Sequence, residues 1–290
     1  MAYQIDFLSR HSLSDIYPIF MAAFADYIQS ASHITEYNFV NRAIKNGVDL
    51  GFSVGAFVNG EMVGFTLVGL DRFDGKKAAY DAGTGIIKAH RGQGIAKDMF
   101  DFVTPELRKV GTESFILEVL KDNTPAIKAY KKAGFTITRE LDSYALNLEK
   151  ITGNKQGEKY VEIQEITKDD LPLYEECLDW QPSWENSFSS IARIQNKVYL
   201  FGASCDGERA GILVYYPMQN WILCLAVRRE FRRQYVASQL LSHLKSVFDD
   251  KTKMVRLINV LHTDEGMKQF LEKVGFEYTF GQYEMGIELN

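Results

Sequence analysis

TGIIKAHRGQGIAK, residues 84–97, is the stretch whose reading decides the fold. It begins as β-favouring sequence, turns at Gly92 and Gly94, and runs on to Val110 with apolar residues at helical spacing. A glycine-bearing loop that opens a helix leaves several amides without partners. They point outward at the positive end of the helix dipole. Such a loop is a phosphate cradle, and a side chain at position 94 would hold a pyrophosphate away from the backbone.

The same stretch recurs. TGIIKAHRGQGIA aligns without a gap on LAVRREFRRQYVA, residues 225–237, so that Arg91 falls on Arg232. Further on, KAYKKAGF ending at Phe135 aligns on QFLEKVGF ending at Phe276 in the same register, 141 residues apart. Upstream, GAFVNGEMVG from Gly55 matches GASCDGERAG from Gly202, 147 residues on. Three matches in one order mark a tandem duplication. In a chain of 290 residues they predict two domains, 1–150 and 151–290. The polar, glycine-bearing stretch Lys150 to Lys159 reads as the linker between them.

Each copy predicts one string of elements. In the first, Tyr3–Leu8 is a strand, and Ser14–Tyr27 and Thr35–Lys45 are helices, the former preceded by cap-forming serines. Two strands flank the Asn59-Gly60 turn, a strong hairpin signal. A strand from Ala78 to Ile87 enters the loop at Arg91, and a helix follows from Gly94 to Val110. Ser114–Leu120 is a strand, Thr124–Lys132 a helix and Phe135–Leu148 the last strand. The second copy is expected to repeat this order from Tyr160.

Composition narrows the function. A net charge of −5 disfavours a general nucleic-acid binder, which needs a basic face. Cys177, Cys205 and Cys224 have neither CxxC spacing nor a histidine cluster, so neither a disulfide frame nor a metal site is expected. The N-terminal MAYQIDFLSR is no secretory signal, and the longest apolar run, Trp221 to Val227, is too short to span a bilayer. The expectation is a cytoplasmic protein with no membrane partner.

Residues 84–96 closely resemble the coenzyme A pyrophosphate loop of the GNAT superfamily of N-acetyltransferases, through Arg91, Gly94 and Ala96. Lys88 stands where members often carry proline. LEVLKDNTPAIKAYKKAGF, residues 117–135, resembles a second family motif, through Asn123, Ala126, Tyr130, Gly134 and Phe135. The resemblance spans Tyr3 to Leu148 in full and Tyr160 to Leu289 more weakly. It implies an α/β (α+β) fold made twice: a twisted, mostly antiparallel sheet with helices on both faces and a parallel pair beside the cofactor. It also implies acetyl-CoA as cosubstrate and no metal.

The roles the resemblance implies are specific. Arg91, Gly92, Gln93, Gly94, Ile95, Ala96 and Lys97 would cradle the pyrophosphate. Free amides near Ile86 and Ile87 would bond the acetyl carbonyl and the pantetheine arm, and Asn123 would bond the pantetheine or a bridging water. Tyr130 would stand beside the sulfur as general acid. Glu118, alternating with Leu117 and Val119, would accept the amine proton through a water. Asn123 equally reads as the cap of the helix at Thr124, Glu118 as a solvated or ion-paired carboxylate, and Phe20, Phe24 and Tyr27 as a core stripe.

At the 141-residue offset, Gly94 becomes Tyr235, Glu118 becomes Asn259, Asn123 becomes Asp264 and Tyr130 becomes Leu271. The second copy is therefore expected to fold, to bind coenzyme A weakly or not at all, and to wall the acceptor site. The function expected is acetyl transfer to a primary amine by direct attack, the amine being a small molecule or a peptide. A sensor or scaffold that holds acetyl-CoA without turnover is the alternative. Sheet edges of such domains often pair, so a homodimer is among the expected assemblies.

Overall fold

The computed structural model describes residues 3–26, 34–148, 161–248 and 253–289. The chain forms two compact units: Met1–Arg139 with Gln282–Asn290, and Glu140–Gly281.

Unit 1 is built on β1 (Gln4–Phe7), β2 (Val54–Val58), β3 (Glu61–Phe73), β4 (Lys76–Ile86) and β5 (Ser114–Leu120). Neighbours are antiparallel except β4 and β5, which run parallel. On one face lie α1 (Leu13–Ala23) and α2 (Glu36–Lys45), which bury Ile16 and Phe39 with Phe65 and Leu67 of β3. On the other lie α3 (Ile95–Lys109) and α4 (Thr124–Lys132), which bury Met99, Val103 and Tyr130 with Phe115 and Leu117 of β5. α1 begins at a capping box in which Ser12 and Asp15 bond each other's backbone amides. It ends at Ala23; Tyr27, expected within this helix, lies outside the described residues.

Unit 2 repeats the plan with β7 (Val161–Glu165), β8 (Tyr199–Cys205), β9 (Glu208–Tyr216), β10 (Trp221–Val227) and β11 (Met254–Leu261), packed by α6 (Val236–Leu244) and α7 (Glu265–Val274). Among its described residues the parallel pair is β10 with β11. The mixed, mostly antiparallel α/β fold thus occurs twice.

Two features depart from the sequence reading. The last strand of each copy belongs to the other unit's sheet. In β6 (Thr136–Asn147), the stretch from Leu141 pairs with β11, whereas in β12 (Glu277–Glu288) the stretch from Gln282 pairs with β5. The compact units therefore differ from the sequential division at 150, and the expected linker lies outside the described residues. Both strands carry the same pattern, so sheet pairing alone decides which edge each one completes. Secondly, the two expected helices after β7 are replaced by 3-10 turns at Lys168–Cys177 and Trp184–Asn186 and by the short α5 (Phe188–Arg193). Pro172 and Pro182 fall in this stretch, and proline removes donors that an α-helix needs.

Candidate active site

The cradle in unit 1 forms as its sequence dictates. After a 3-10 turn at Lys88–His90, Gly92 and Gly94 take left-handed φ of 77° and 85°, and Gly94 caps α3. The first helical bond runs from the Asp98 amide to the Gly94 carbonyl, so the amides of Gly92, Gln93, Gly94, Ile95, Ala96 and Lys97 have no main-chain acceptor among the described residues. A Cβ on Gly94 would meet nothing within 4 Å, so the glycine serves the backbone conformation and keeps the approach open. The geometry suits a pyrophosphate.

The Arg91 side chain turns back onto the protein. Its Nε donates to the Ile86 carbonyl at 3.0 Å, its Nη2 to the Ala23 carbonyl at 2.7 Å, and the guanidinium grips both carboxylate oxygens of Asp26 at 3.0 and 2.7 Å. The side chain bolts the loop to β4 and to the segment after α1. These hydrogen bonds hold the Asp26 carboxyl below its ordinary range. Lys97 pairs with Asp101 along the surface of α3.

The cleft beside the cradle comes from a bulge. In the pairing of β3 with β4, Val68 faces Asp81 and Leu67 faces Gly83, leaving Ala82 extra. Parallel pairing of β4 with β5 stops at Asp81 opposite Leu117, and beyond it the strands diverge. Of the two amides expected here, that of Ile87 is already bonded to the Val63 carbonyl at 2.9 Å. Antiparallel bonding alternates, so the Ile86 amide points the other way, into the cleft.

Tyr130 of α4 packs into the core beside β5. Its ring lies edge-on to Phe100 and Phe135, it is only 9% exposed, and its hydroxyl is hydrogen-bonded to Asp81. Glu118 sits half-buried on the sheet face opposite to Leu117 and Tyr130, across the β5–β12 register from Glu284, whose charge Arg139 meets through two hydrogen bonds at 2.8 and 2.6 Å. Asn123 is the N-cap of α4, its side-chain oxygen accepting the Ala126 amide at 3.3 Å. Its capping reading is realised.

Sequence reasoning missed Asp81. It is a carboxylate 5% exposed in a core wall, and burial pushes its pKa up to about 6 against the hydrogen bonds that favour the charge. An acidic residue in an otherwise apolar strand was the signal available.

Unit 2 keeps the frame of this site. Arg233 and Tyr235 hold left-handed φ of 63° and 66°, where unit 1 has Gly92 and Gly94. Arg232 donates from Nε to the Val227 carbonyl at 2.9 Å and pairs with Asp179 at 2.5 Å, the same bolt as Arg91. A cavity of about 910 Å³ opens between β10 and β11, walled by Leu223, Leu225, Leu257 and Phe270, with Arg232 and Tyr235 among its polar lining. Among the described residues no cluster of His, Cys, Asp and Glu could hold a metal ion, and no helix is long and apolar enough to cross a membrane.

The chain is similar to known proteins in sequence and in fold. The model of the acetyltransferase (GNAT) family matches residues 13–135 and 160–276. The mycothiol acetyltransferase of Corynebacterium glutamicum is 40% identical over 53 residues, 18% of either chain. The N-alpha-acetyltransferase 30 of Schizosaccharomyces pombe is 31% identical over 97 residues, 33% of this chain and 65% of that one. The matched stretches thus span less than two thirds of either relative. Among solved structures, a tandem GNAT protein from the clavulanic acid biosynthesis pathway covers 100% of this chain and 99% of its own with a TM-score of 0.74 at 16% identity. A GCN5-related N-acetyltransferase from Sphaerobacter thermophilus gives 0.71 at 14% identity, covering 99% and 96%. These two likenesses are of fold.

Proposed function

The chain belongs to the acetyltransferase (GNAT) family, and on that premise we propose that unit 1 is an N-acetyltransferase that moves an acetyl group from acetyl-CoA to a primary amine in the cytoplasm. The observation that carries this reading is the row of amides from Gly92 to Lys97 without main-chain acceptors among the described residues, which follows the point where β4 and β5 cease to pair.

The amides take the pyrophosphate, and the pantetheine arm lies along the diverging edge of β4. There the Ile86 amide polarises the thioester carbonyl. The amine arrives as an ammonium, loses one proton through water to Glu118, and attacks directly within a ternary complex. Tyr130 attends the departing sulfur. No cysteine in residues 1–150 offers a covalent way station. The acceptor is a small-molecule amine or a peptide.

Calorimetric titration of acetyl-CoA, followed by assay of thiol release with a panel of amines, tests the reading. Binding at one site with amine-dependent thiol release is expected. Binding without thiol release from any amine would favour a sensor, and absence of binding would refute the assignment.

A further inference from the structure

Asp81 and Tyr130 belong to a buried polar chain that runs through the wall of unit 1. The Tyr130 hydroxyl is bonded to the Asp81 carboxylate, the Thr84 hydroxyl donates to Asp81 Oδ2 at 2.9 Å, and the Gly83 amide donates to Oδ1 at 3.0 Å. Beyond it, Thr84 Oγ1 lies 2.9 Å from Thr66 Oγ1, which is 3.9 Å from the sulfur of Met99.

Unit 2 is an internal control. At the same alignment Asp81, Thr84, Thr66, Met99 and Tyr130 become Ile222, Leu225, Leu213, Leu240 and Leu271, all within one apolar core cluster. The bulge survives: Leu223 is the extra residue in β10 just as Ala82 is in β4. In unit 2 the fold builds this corner from hydrocarbon alone. Its members are absent together from the copy that also lacks the glycines of the cradle and the carboxylate at Glu118.

We propose that Asp81 acts through Tyr130 as a proton store, taking the second amine proton during attack and returning it to the departing sulfur. The proposal rests on unit 1 being the acetyltransferase. The nitrogen lone pair forms the N–C bond and the carbonyl π pair moves to oxygen. The N–H proton passes to Tyr130 Oη as the tyrosine's own proton passes to Asp81, leaving a neutral carboxyl. The oxygen pair then re-forms the carbonyl, and the C–S bond breaks with its electrons on sulfur. Sulfur takes the proton from Tyr130, and Asp81 restores the tyrosine. Nothing outside the two substrates is consumed.

Asp81 is suited to this task because burial raises its affinity for a proton to the point where loading and unloading both occur near neutrality. The titratable side chain that enters this balance is Tyr130 of α4, beside the Thr84 hydroxyl and the Gly83 amide. Asp81 is thus a positioning residue whose charge state controls Tyr130.

The test is the pH profile of kcat for thiol release, using acetyl-CoA and whichever polyamine, aminoglycoside, amino acid or peptide the amine panel shows to be accepted. In the wild type kcat should fall as pH drops through about 6. Asp81→Asn should lower kcat about a hundredfold and abolish that limb, with the acetyl-CoA KM changed less than about twofold. Tyr130→Phe should show the same loss, and the double variant no more than either. Thr84→Val removes one bond that favours the carboxylate, so it should move the limb to higher pH, and it carries the test if Asp81→Asn does not fold. An unmoved limb in Thr84→Val, or full kcat in Asp81→Asn beside a defective Tyr130→Phe, would overturn the proposal and leave the acetyltransferase reading standing. Wild type without turnover on any amine would overturn both.

Discussion

The two copies of the glycine loop have one backbone and two chemistries. In unit 1 the left-handed positions are Gly92 and Gly94, and in unit 2 they are Arg233 and Tyr235 at nearly the same φ. A left-handed residue other than glycine costs about 1–2 kcal/mol, so unit 2 keeps this shape against its local preference. Arg91 and Arg232 show why it can. Each reaches back to the strand carbonyl five residues earlier and grips an aspartate, Asp26 or Asp179, so the arginine of the motif ties its loop to the strand before it in both copies. What separates the copies is the lining: a polar chain around Asp81 in one, hydrocarbon in the other.

The sharpest way to break this comparison is to give unit 1 the lining of unit 2. Asp81→Ile with Tyr130→Leu should leave a folded protein, by circular dichroism and melting, while thiol release falls by about a hundredfold or more. Loss of the fold would mean the polar chain is structural. Asp81→Asn alone examines the same point through stability. The folded-state pKa of Asp81 is raised, so the native state holds its proton more tightly than the unfolded chain. Wild-type stability must therefore decline as pH rises from the ordinary carboxylate value through about 6, a cost on the order of 3 kcal/mol at neutral pH. Asp81→Asn should raise Tm at pH 8 and have little effect below pH 4, and equal effects at both would contradict burial as the cause.

Placing the residue of unit 2 in the cradle is the next step down. Gly94→Tyr should weaken acetyl-CoA binding about tenfold or more by calorimetry, or 1.4 kcal/mol and above, because the Cβ and ring occupy the approach to the amides. Unchanged affinity would remove the cradle from the site. The reverse substitution, Tyr235→Gly, should relieve about 1 kcal/mol of backbone strain and raise the melting temperature of unit 2 by about 2–4 °C. The smallest effect belongs to the bolts. Arg91→Met and Arg232→Met should each lower Tm slightly and to a similar extent, both pairs lying near the surface. A loss of acetyl-CoA affinity for Arg91→Met as large as that of Gly94→Tyr would return this side chain to the phosphates.

Much of the fold was legible because its signals are local. β5 and α4 match the predicted Ser114–Leu120 and Thr124–Lys132 at both ends, since alternation and helix caps lie within a few residues of what they specify. The conformation of the loop was legible for the same reason: two glycines before a helix start set its left-handed turns. The Asn123 cap, too, is a local device. The segment after β7 was misread where Pro172 and Pro182 outweigh the analogy with the first copy.

By itself, then, the sequence determined the duplication, the order of elements in the first copy and the loop, all of them properties of short windows or of their repetition. Only the tertiary structure decided that β12 completes the sheet of unit 1 and β6 that of unit 2, that Arg91 grips Asp26, and that Tyr130 meets Asp81 across 49 positions of chain. Sheet edges accept any strand of suitable pattern, and a buried carboxylate takes whichever donor packing brings to it. Such partners are chosen by the assembled core and leave no mark in the residues beside them.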